Sequence, residues 1–395
     1  MEITSELLVA GCADEAEDGG ILIRQSLEPL GGPGVPVRPA SYAGAKYQKD
    51  RRWSHEGEVP RPVDVVVIDN VPSQANRAEA QLERLAPSLG LPMLVLDLSG
   101  SVLPPHLPSR LSGFRFPHRH ADAYLRDSTL DGVAFLKTEV GKEILAATAD
   151  DPRALLQWFP QSLLYGYWQS HMGKKGTQAK LARSWVSEIT GWEPATTESS
   201  TLGLKGDALN LSVDDRVAYD EDDPTGWTLV AGDKKAAGKD KKKQDALSSL
   251  GHGQVPVESS LAGLSFRSIN QVASVSFAAL RRVDFGDPEA NAAGRAVLVA
   301  LALVGHTASA GRSFSLRSGC ELRPVASSWT WLGADGDAPA DGLSPADTQR
   351  LFGEVVAVAE AAGLPVGSAW STEPLVLSPS PSLASVIAAT YPIGE

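Results

Sequence analysis

The segment DNVPSQANRAEAQLERL, residues 69–85, places Gln74, Asn76 and Arg77 at the mouth of a helix that follows an apolar strand. Amide and guanidinium donors at a helix start, beside free backbone N–H groups and the positive end of the helix dipole, suit an anion such as phosphate. Residues 114–132, FRFPHRHADAYLRDSTLDG, gather Arg115, His118, Arg119, His120 and Arg126 around Pro117, which breaks any regular element. Arginine engages a phosphate through two parallel hydrogen bonds, and histidine adds a donor without a permanent charge. Residues 158–192 carry Lys174, Lys175, Lys180 and Arg183 with no acid before Glu188, interleaved with Tyr165, Tyr167, Trp168 and Trp185. In single-stranded nucleic-acid binding, cations serve the backbone and aromatic faces serve the bases.

Each cluster also has a purely structural reading. Asn76 and Arg77 would tie the loop to the sheet, and Leu163, Leu164, Tyr167 and Trp168 would serve as ordinary core. A metal site at His118-x-His120 lacks a Cys or carboxylate at a familiar ligand spacing, so neither a metal nor another cofactor is expected. Enzyme motifs are missing too. Gly166 and Gly173 are too far apart for a phosphate-binding P-loop, Lys175 follows Lys174 where Ser or Thr is needed, and Cys320 has no recognisable motif around it.

The elements that must position these residues begin with VDVVVID, 63–69, a β-branched run expected to be a buried strand. Ser73 is the expected cap of a helix over 73–86, with Ala75, Ala78, Leu82 and Leu85 on one buried stripe and Gln74, Arg77 and Gln81 on a polar face. With a strand at 93–98 this makes one α/β unit of adjacent elements. Residues 29–62, rich in Pro and Gly, read as an exposed arm with little regular structure. Asp151 and Pro152 open a helix over 151–168, and a helix over 288–304 contains AVLVALALVG, too short a run to cross a bilayer and apolar on all sides. FSLRSGCELRPVASSWTWLG reads as a strand pair around Arg317. Ser344, Pro345 and Asp347 start the last clear helix as a capping box, with Leu351, Val355, Val358 and Ala362 facing the core and Gly363 ending it. Strands toward both ends with helices between predict an α+β fold.

With 395 residues, 43% of them hydrophobic, the chain can bury a sizeable core. A net charge of −12 argues against a protein coated in positive charge. Its distribution is uneven: residues 38–52 hold Arg38, Lys46, Lys49, Arg51 and Arg52 against Asp50, whereas residues 331–395 hold eight acids and only Arg350. Cys12 and Cys320 form no disulfide framework and no signal peptide is visible, which makes the cytoplasm the expected location.

Seven segments in order extend this reading: RPASYAG (38–44), VVVIDNVPSQANRAE (65–79), FPHRHADAYLRDSTLDG (116–132), SLLYGYWQS (162–170), KLARSWVSEITG (180–191), VSFAALRRVDFG (275–286) and LRSGCEL (316–322). Together they resemble the RAMP-superfamily backbone subunit, of the Csb family, in type I-G (formerly I-U) CRISPR effector complexes. The resemblance leaves out residues 12–20 and about 194–260. It implies a ferredoxin-like, RRM-related palm with large insertions and an extended thumb, forming a single elaborated RAMP domain over 1–395. Residues 194–260 are the candidate thumb, with a mobile Lys-rich loop at 232–254 containing Lys234, Lys235, Lys239 and Lys241 to Lys243. The implied function is non-catalytic: the subunit polymerises along the CRISPR guide RNA by phosphate and sugar contacts and presents the spacer for pairing with target DNA. Its partners would be guide RNA, target DNA in the assembled complex, copies of itself and the other type I-G subunits, with no membrane. The expected RNA contacts are Gln74, Asn76, Arg77, His118, Arg119, Lys174, Lys175 and Arg183, with Lys46 and Arg281 added and Arg282 and Arg317 left as structural. The alternatives are a RAMP-type metal-dependent ribonuclease using Asp69, Asp122 or Asp131, and a scaffold that oligomerises through protein contacts alone.

Overall fold

Strands in which buried and exposed residues alternate set the framework of the computed structural model, which describes residues 1–42, 46–170, 179–195, 209, 216–219, 225–230, 243–252, 263–370 and 373–391. The main sheet contains β1 (Gly20–Pro29), β2 (Lys49–Ser54), β3 (Arg61–Asp69), β4 (Trp185–Pro194), β5 (Phe266–Ser276), β6 (Phe314–Arg317), β7 (Cys320–Gly333) and β8 (Gly336–Ala340). Their order is β6-β7-β1-β5-β4-β3-β2, with β8 paired to β7, and these pairings are antiparallel. Among the helices that contribute side chains to the large core beside this sheet are α1 (Ser5–Gly11), α2 (Val71–Leu89), α3 (Pro288–Ala310) and α4 (Pro345–Ala361).

Strands β1, β4, β5 and β7 with α2 and α3 follow one another as β-α-β-β-α-β and lie side by side as β7-β1-β5-β4. That is the ferredoxin-like arrangement. Extra strands widen it, since β2 and β3 add to the outer edge of β4 and β6 adds to β7. The widened sheet curls into an antiparallel half-barrel, and the observed class is the α+β expected from the sequence.

The interior has two apolar parts with a polar layer between them. On β1 the inward positions run Ile23, Gln25, Leu27; on β5 they run Ala273, Gln271, Ile269; on β4 they run Trp185, Ser187, Ile189. Ile23, Ala273 and Trp185 belong to the large core shared with α2, α3 and α4. Leu27, Ile269 and Ile189 belong to a small core completed by Val37, Ile68, Cys320 and Leu322. Each strand therefore contributes one polar side chain to the layer: Gln25 lies opposite Gln271, and Ser187, offset by one pair to face Ala273, accepts from Gln271 Nε2 at 2.9 Å.

Helix α3 threads the large core. Asp287 caps it by accepting the Ala290 N–H, and Pro288 occupies the first turn. By length and composition α3 could cross a membrane, but 89% of its most apolar window is buried inside the protein. Arg295, 1% exposed in mid-helix, is satisfied by Asp14 Oδ1 at 2.6 Å and by the carbonyls of Cys12, Arg281 and Val283. A buried guanidinium is tolerable only with that many acceptors. Near the far end of α3, His306 lies between the rings of Trp185 and Trp329, and neither ring nitrogen has a hydrogen-bond partner among the described residues. The two cysteines are free and buried, with thiol pKa values pushed up by burial to about 12 for Cys12 and about 11 for Cys320.

Several expectations are revised. Helix α2 starts at Val71, two residues earlier than read, because Asn70 rather than Ser73 is the cap and accepts the Ser73 N–H at 3.1 Å. The expected arm over 29–62 contains β2, whose backbone pairs with β3. The strand at Leu94–Asp97 leaves the main sheet for a second one, pairing with Arg110–Ser112 and in parallel with Leu375–Pro379. Residues 151–168 form two short helices, Arg153–Trp158 and Pro160–Tyr165, with Pro152 at the cap position, and then a strand at Tyr167–Gln169. The capping box at Ser344 and Asp347 is present, and Gly363 follows α4 with φ +75°.

The chain divides into two compact units, one of residues 1–41, 47–195 and 264–395 and one of 42–46 and 196–263. In the second, strands Arg216–Tyr219, Thr228–Leu229 and Lys243–Ala246 form a small antiparallel sheet around Val217, Tyr219 and Leu247. Lys234, Lys235, Lys239, Lys241 and Lys242 lie outside the described residues.

Burial lowers the pKa of His306 to about 4 and that of His120 to about 3. Between those values and about 6.5 the unfolded chain binds protons that the folded chain refuses, so stability falls as pH drops below about 6.5. Each histidine should lower the unfolding free energy by up to ~1.4 kcal/mol per pH unit in that window. Urea midpoints at pH 7, 6, 5 and 4.5 should show this loss, and the His306→Leu variant should lose less between pH 6 and 4.5.

Candidate nucleic-acid interface

Strand β3 ends in Asp69, a carboxylate with 1% exposure, and the donors expected at the start of α2 converge on it. Oδ1 accepts from Ser73 Oγ and from Arg317 Nη2, both at 2.9 Å; Oδ2 accepts from Gln74 Nε2 at 2.6 Å and Arg77 Nε at 3.0 Å. Arg77 Nη2 also donates to the Leu316 carbonyl, and Arg317 Nη1 to the carbonyls of Arg38 and Ile68. Gln74 Oε1 accepts from Ser187 Oγ and Gln271 Nε2 in the polar layer. The structure thus brings Gln74 and Arg77 together on a protein anion, while Asn76 is exposed on another side of α2.

In the second cluster Arg119 and His120 turn inward, whereas Arg115, His118 and Arg126 are exposed. Arg119 grips Glu79 through Nε at 2.7 Å and Nη2 at 2.8 Å, and Nη1 donates to the Gly166 carbonyl. Its backbone has φ +55°, and its guanidinium lies over the Tyr165 ring. Glu79 is buried, which raises its pKa despite the pull of Arg119. Arg115 pairs with Glu83 and Arg126 with Asp127. His120 is buried, with Nδ1 2.9 Å from Ser162 Oγ. His118 has an exposed side chain, and its backbone N–H donates to Asp122.

Lys174 and Lys175 lie outside the described residues. Arg183 is exposed and has no ion pair among the described residues, and it is close enough to Glu79 to favour that carboxylate. Its backbone nitrogen also lies beside Gly166, so Arg119 and Arg183 flank one site. Gly166 is held there by sterics: φ is +79°, and a Cβ would lie 2.7 Å from the Leu181 carbonyl. Lys46 is exposed and belongs to the second compact unit. Arg281 sits apart from these groups, half-buried and donating to the carbonyls of Gly11 and Asp18.

The sequence reading passed over a groove of about 440 Å³ on the sheet, lined by Arg24, Ser26, Trp192, Asn270, Val272 and Ser328. Arg24 is exposed and unpaired among the described residues, and Trp192 Nε1 donates to Thr190 Oγ1. The signal available was the alternation ILIRQSL, which turns Arg24 and Ser26 away from Ile23 and Gln25. Among the described residues no group of three or more His, Cys, Asp or Glu side chains is placed to hold a metal ion.

The comparison with known families falls on the same part of the chain. Residues 21–195 match the family model described as CRISPR-associated protein GSU0053. The match indicates a CRISPR-associated protein. No curated protein matches the chain. The matched stretch includes β1 to β4, Asp69 with its α2 partners Ser73, Gln74 and Arg77, and the Arg119–Glu79 pair, while Arg317 lies outside it.

Removing one partner of a buried ion pair strands the other, at a cost of about 3–5 kcal/mol. Arg119→Ala should therefore lower the melting temperature markedly, and Glu79→Gln added to it should recover part of the loss. Thermal melts of the single and double variants check this, and Gly166→Ala should be destabilised in the same assay.

Proposed function

We propose that this CRISPR-associated protein is a guide-RNA-binding backbone subunit of a type I effector complex, in the RAMP superfamily and of the type I-G class. In this reading it is cytoplasmic and not an enzyme. Copies line up along the spacer part of the guide, hold its phosphates and sugars, and leave its bases to pair with target DNA. The other subunits of the complex are its further partners.

One observation carries the reading. In a chain of net charge −12, Lys46, Lys49, Arg51, Arg84 and Arg183 are exposed with no ion pair among the described residues, and all five fall inside the segment matched by the CRISPR-associated family. Unpaired cations on an acidic body are available to a polyanion, whereas Arg77 and Arg119 are held by Asp69 and Glu79. The ferredoxin-like sheet supports the same reading, since its fold is shared by RNA-binding domains that work through shape and backbone.

The test is binding of RNA oligomers of unrelated sequence and increasing length. Affinity should be nearly independent of sequence and fall steeply with salt, and the mass of the assembly should step up with RNA length. Arg183→Ala should weaken all the RNAs alike, lower the melting temperature far less than Arg119→Ala does, and reduce the slope of log K against log salt by about 0.7. Oligomers that form without RNA and survive high salt would favour a protein-only scaffold. Metal-dependent cleavage of guide-paired RNA would favour a ribonuclease.

A further inference from the structure

A pocket of about 250 Å³ lies between one face of α2, the end of α3 and β6. Gln74, Arg77, Gln81 and Arg84 line it from α2, at spacings that put all four on one side of the helix. Three features point to what it would take.

The first is charge. Asp69 carries one negative charge against the two guanidiniums of Arg77 and Arg317, so the wall beside the pocket holds one uncompensated positive charge. Arg84 is exposed, has no ion pair among the described residues, and adds a second. The acid that touches the lining from the other side is Glu321, 3.4 Å from the Ser315 hydroxyl. The second feature is an unanswered acceptor. Gln271, 1% exposed, lines the pocket; its Nε2 is spent on Gln74 and Ser187, and its Oε1 has no hydrogen-bond partner among the described residues. A buried carbonyl oxygen of this kind calls for a donor. The third is Phe314, whose half-buried aromatic side chain lines the pocket and packs on the small core.

Anion-binding cations, an acceptor for an O–H or N–H group and an aromatic side chain are what one nucleotide presents partners for: a phosphate, a ribose hydroxyl or exocyclic amine, and a planar base. We propose that this pocket holds one nucleotide unit of single-stranded RNA, its phosphate on Arg84, beside Arg77 whose guanidinium stays on Asp69, a ribose or base donor on Gln271 Oε1, and its base against Phe314. The proposal rests on the RNA-binding reading and deepens it, because it assigns a nucleotide to a site where the cations alone would specify none.

Oligouridylate carrying 4-thiouridine, irradiated in complex with the full chain and mapped by mass spectrometry, tests it. Adducts are expected on residues 309–316 or 74–84 and should drop in Phe314→Ala. Arg84→Glu should weaken oligouridylate binding by about tenfold or more, with an unchanged melting temperature, since Arg84 is exposed and makes no ion pair among the described residues. Tight RNA binding with adducts only elsewhere and unchanged affinity of Arg84→Glu overturns the pocket and leaves the RNA reading standing. A wild-type chain that binds no RNA even at low salt overturns both.

Discussion

The carboxylate of Asp69 is the constraint around which one end of the main sheet and its helix α2 are arranged. It is nearly inaccessible to water, and a bare buried carboxylate is too costly to keep ionised without partners. Four side chains answer it, from the start of α2 and from the end of β6, while Gln74 passes the connection on to β4 and β5. One anion thus fixes the angle at which a helix leaves its strand and the place where the β6–β7 hairpin meets the sheet. Breaking it would leave Arg77 and Arg317 facing each other without their counter-ion, so the network is cooperative rather than a sum of pairs.

The same arrangement explains why donors that look suited to phosphate are largely engaged within the protein. A guanidinium or an amide has the same chemistry whether its acceptor is a nucleic acid or a carboxylate of its own chain. Glu79 lies 40 residues before Arg119, and Asp69 lies 248 residues before Arg317, so neither pairing can be read from local spacing. Exposure separates the two kinds of cation. Arg183 and Lys46 keep their charge on the surface, and Arg84, which the sequence reading did not single out, does the same.

Legibility followed locality in the fold as well. The β-branched run of β3, the stripe of α2 and the box that starts α4 are each specified within a few residues, and they appear where expected to within about two positions. Strand β1 sits inside the sheet, between β7 and β5, but spells its inward face as Ile23, Gln25, Leu27, so the polar layer disguises its period. Strand β2 has five of its six residues polar or charged and is a strand because β3 pairs with it. The strand at Leu94–Asp97 finds its parallel partner 281 residues further on, at Leu375–Leu377, and that choice is made by the folded molecule.

Strand β2 has a further effect through its position at the rim of the sheet. Its outer backbone groups are not covered by another strand of that sheet, which is the usual template for unwanted association between chains. The run Lys49, Asp50, Arg51, Arg52 loads that rim with charge of both signs, and Arg52 is tied down by Asp50 and Glu188. A neighbouring molecule approaching edge to edge would have to strip water from several ionised groups before making one ladder bond. The basic rim thereby also guards solubility, and neutralising it would favour aggregation even where the native packing is untouched.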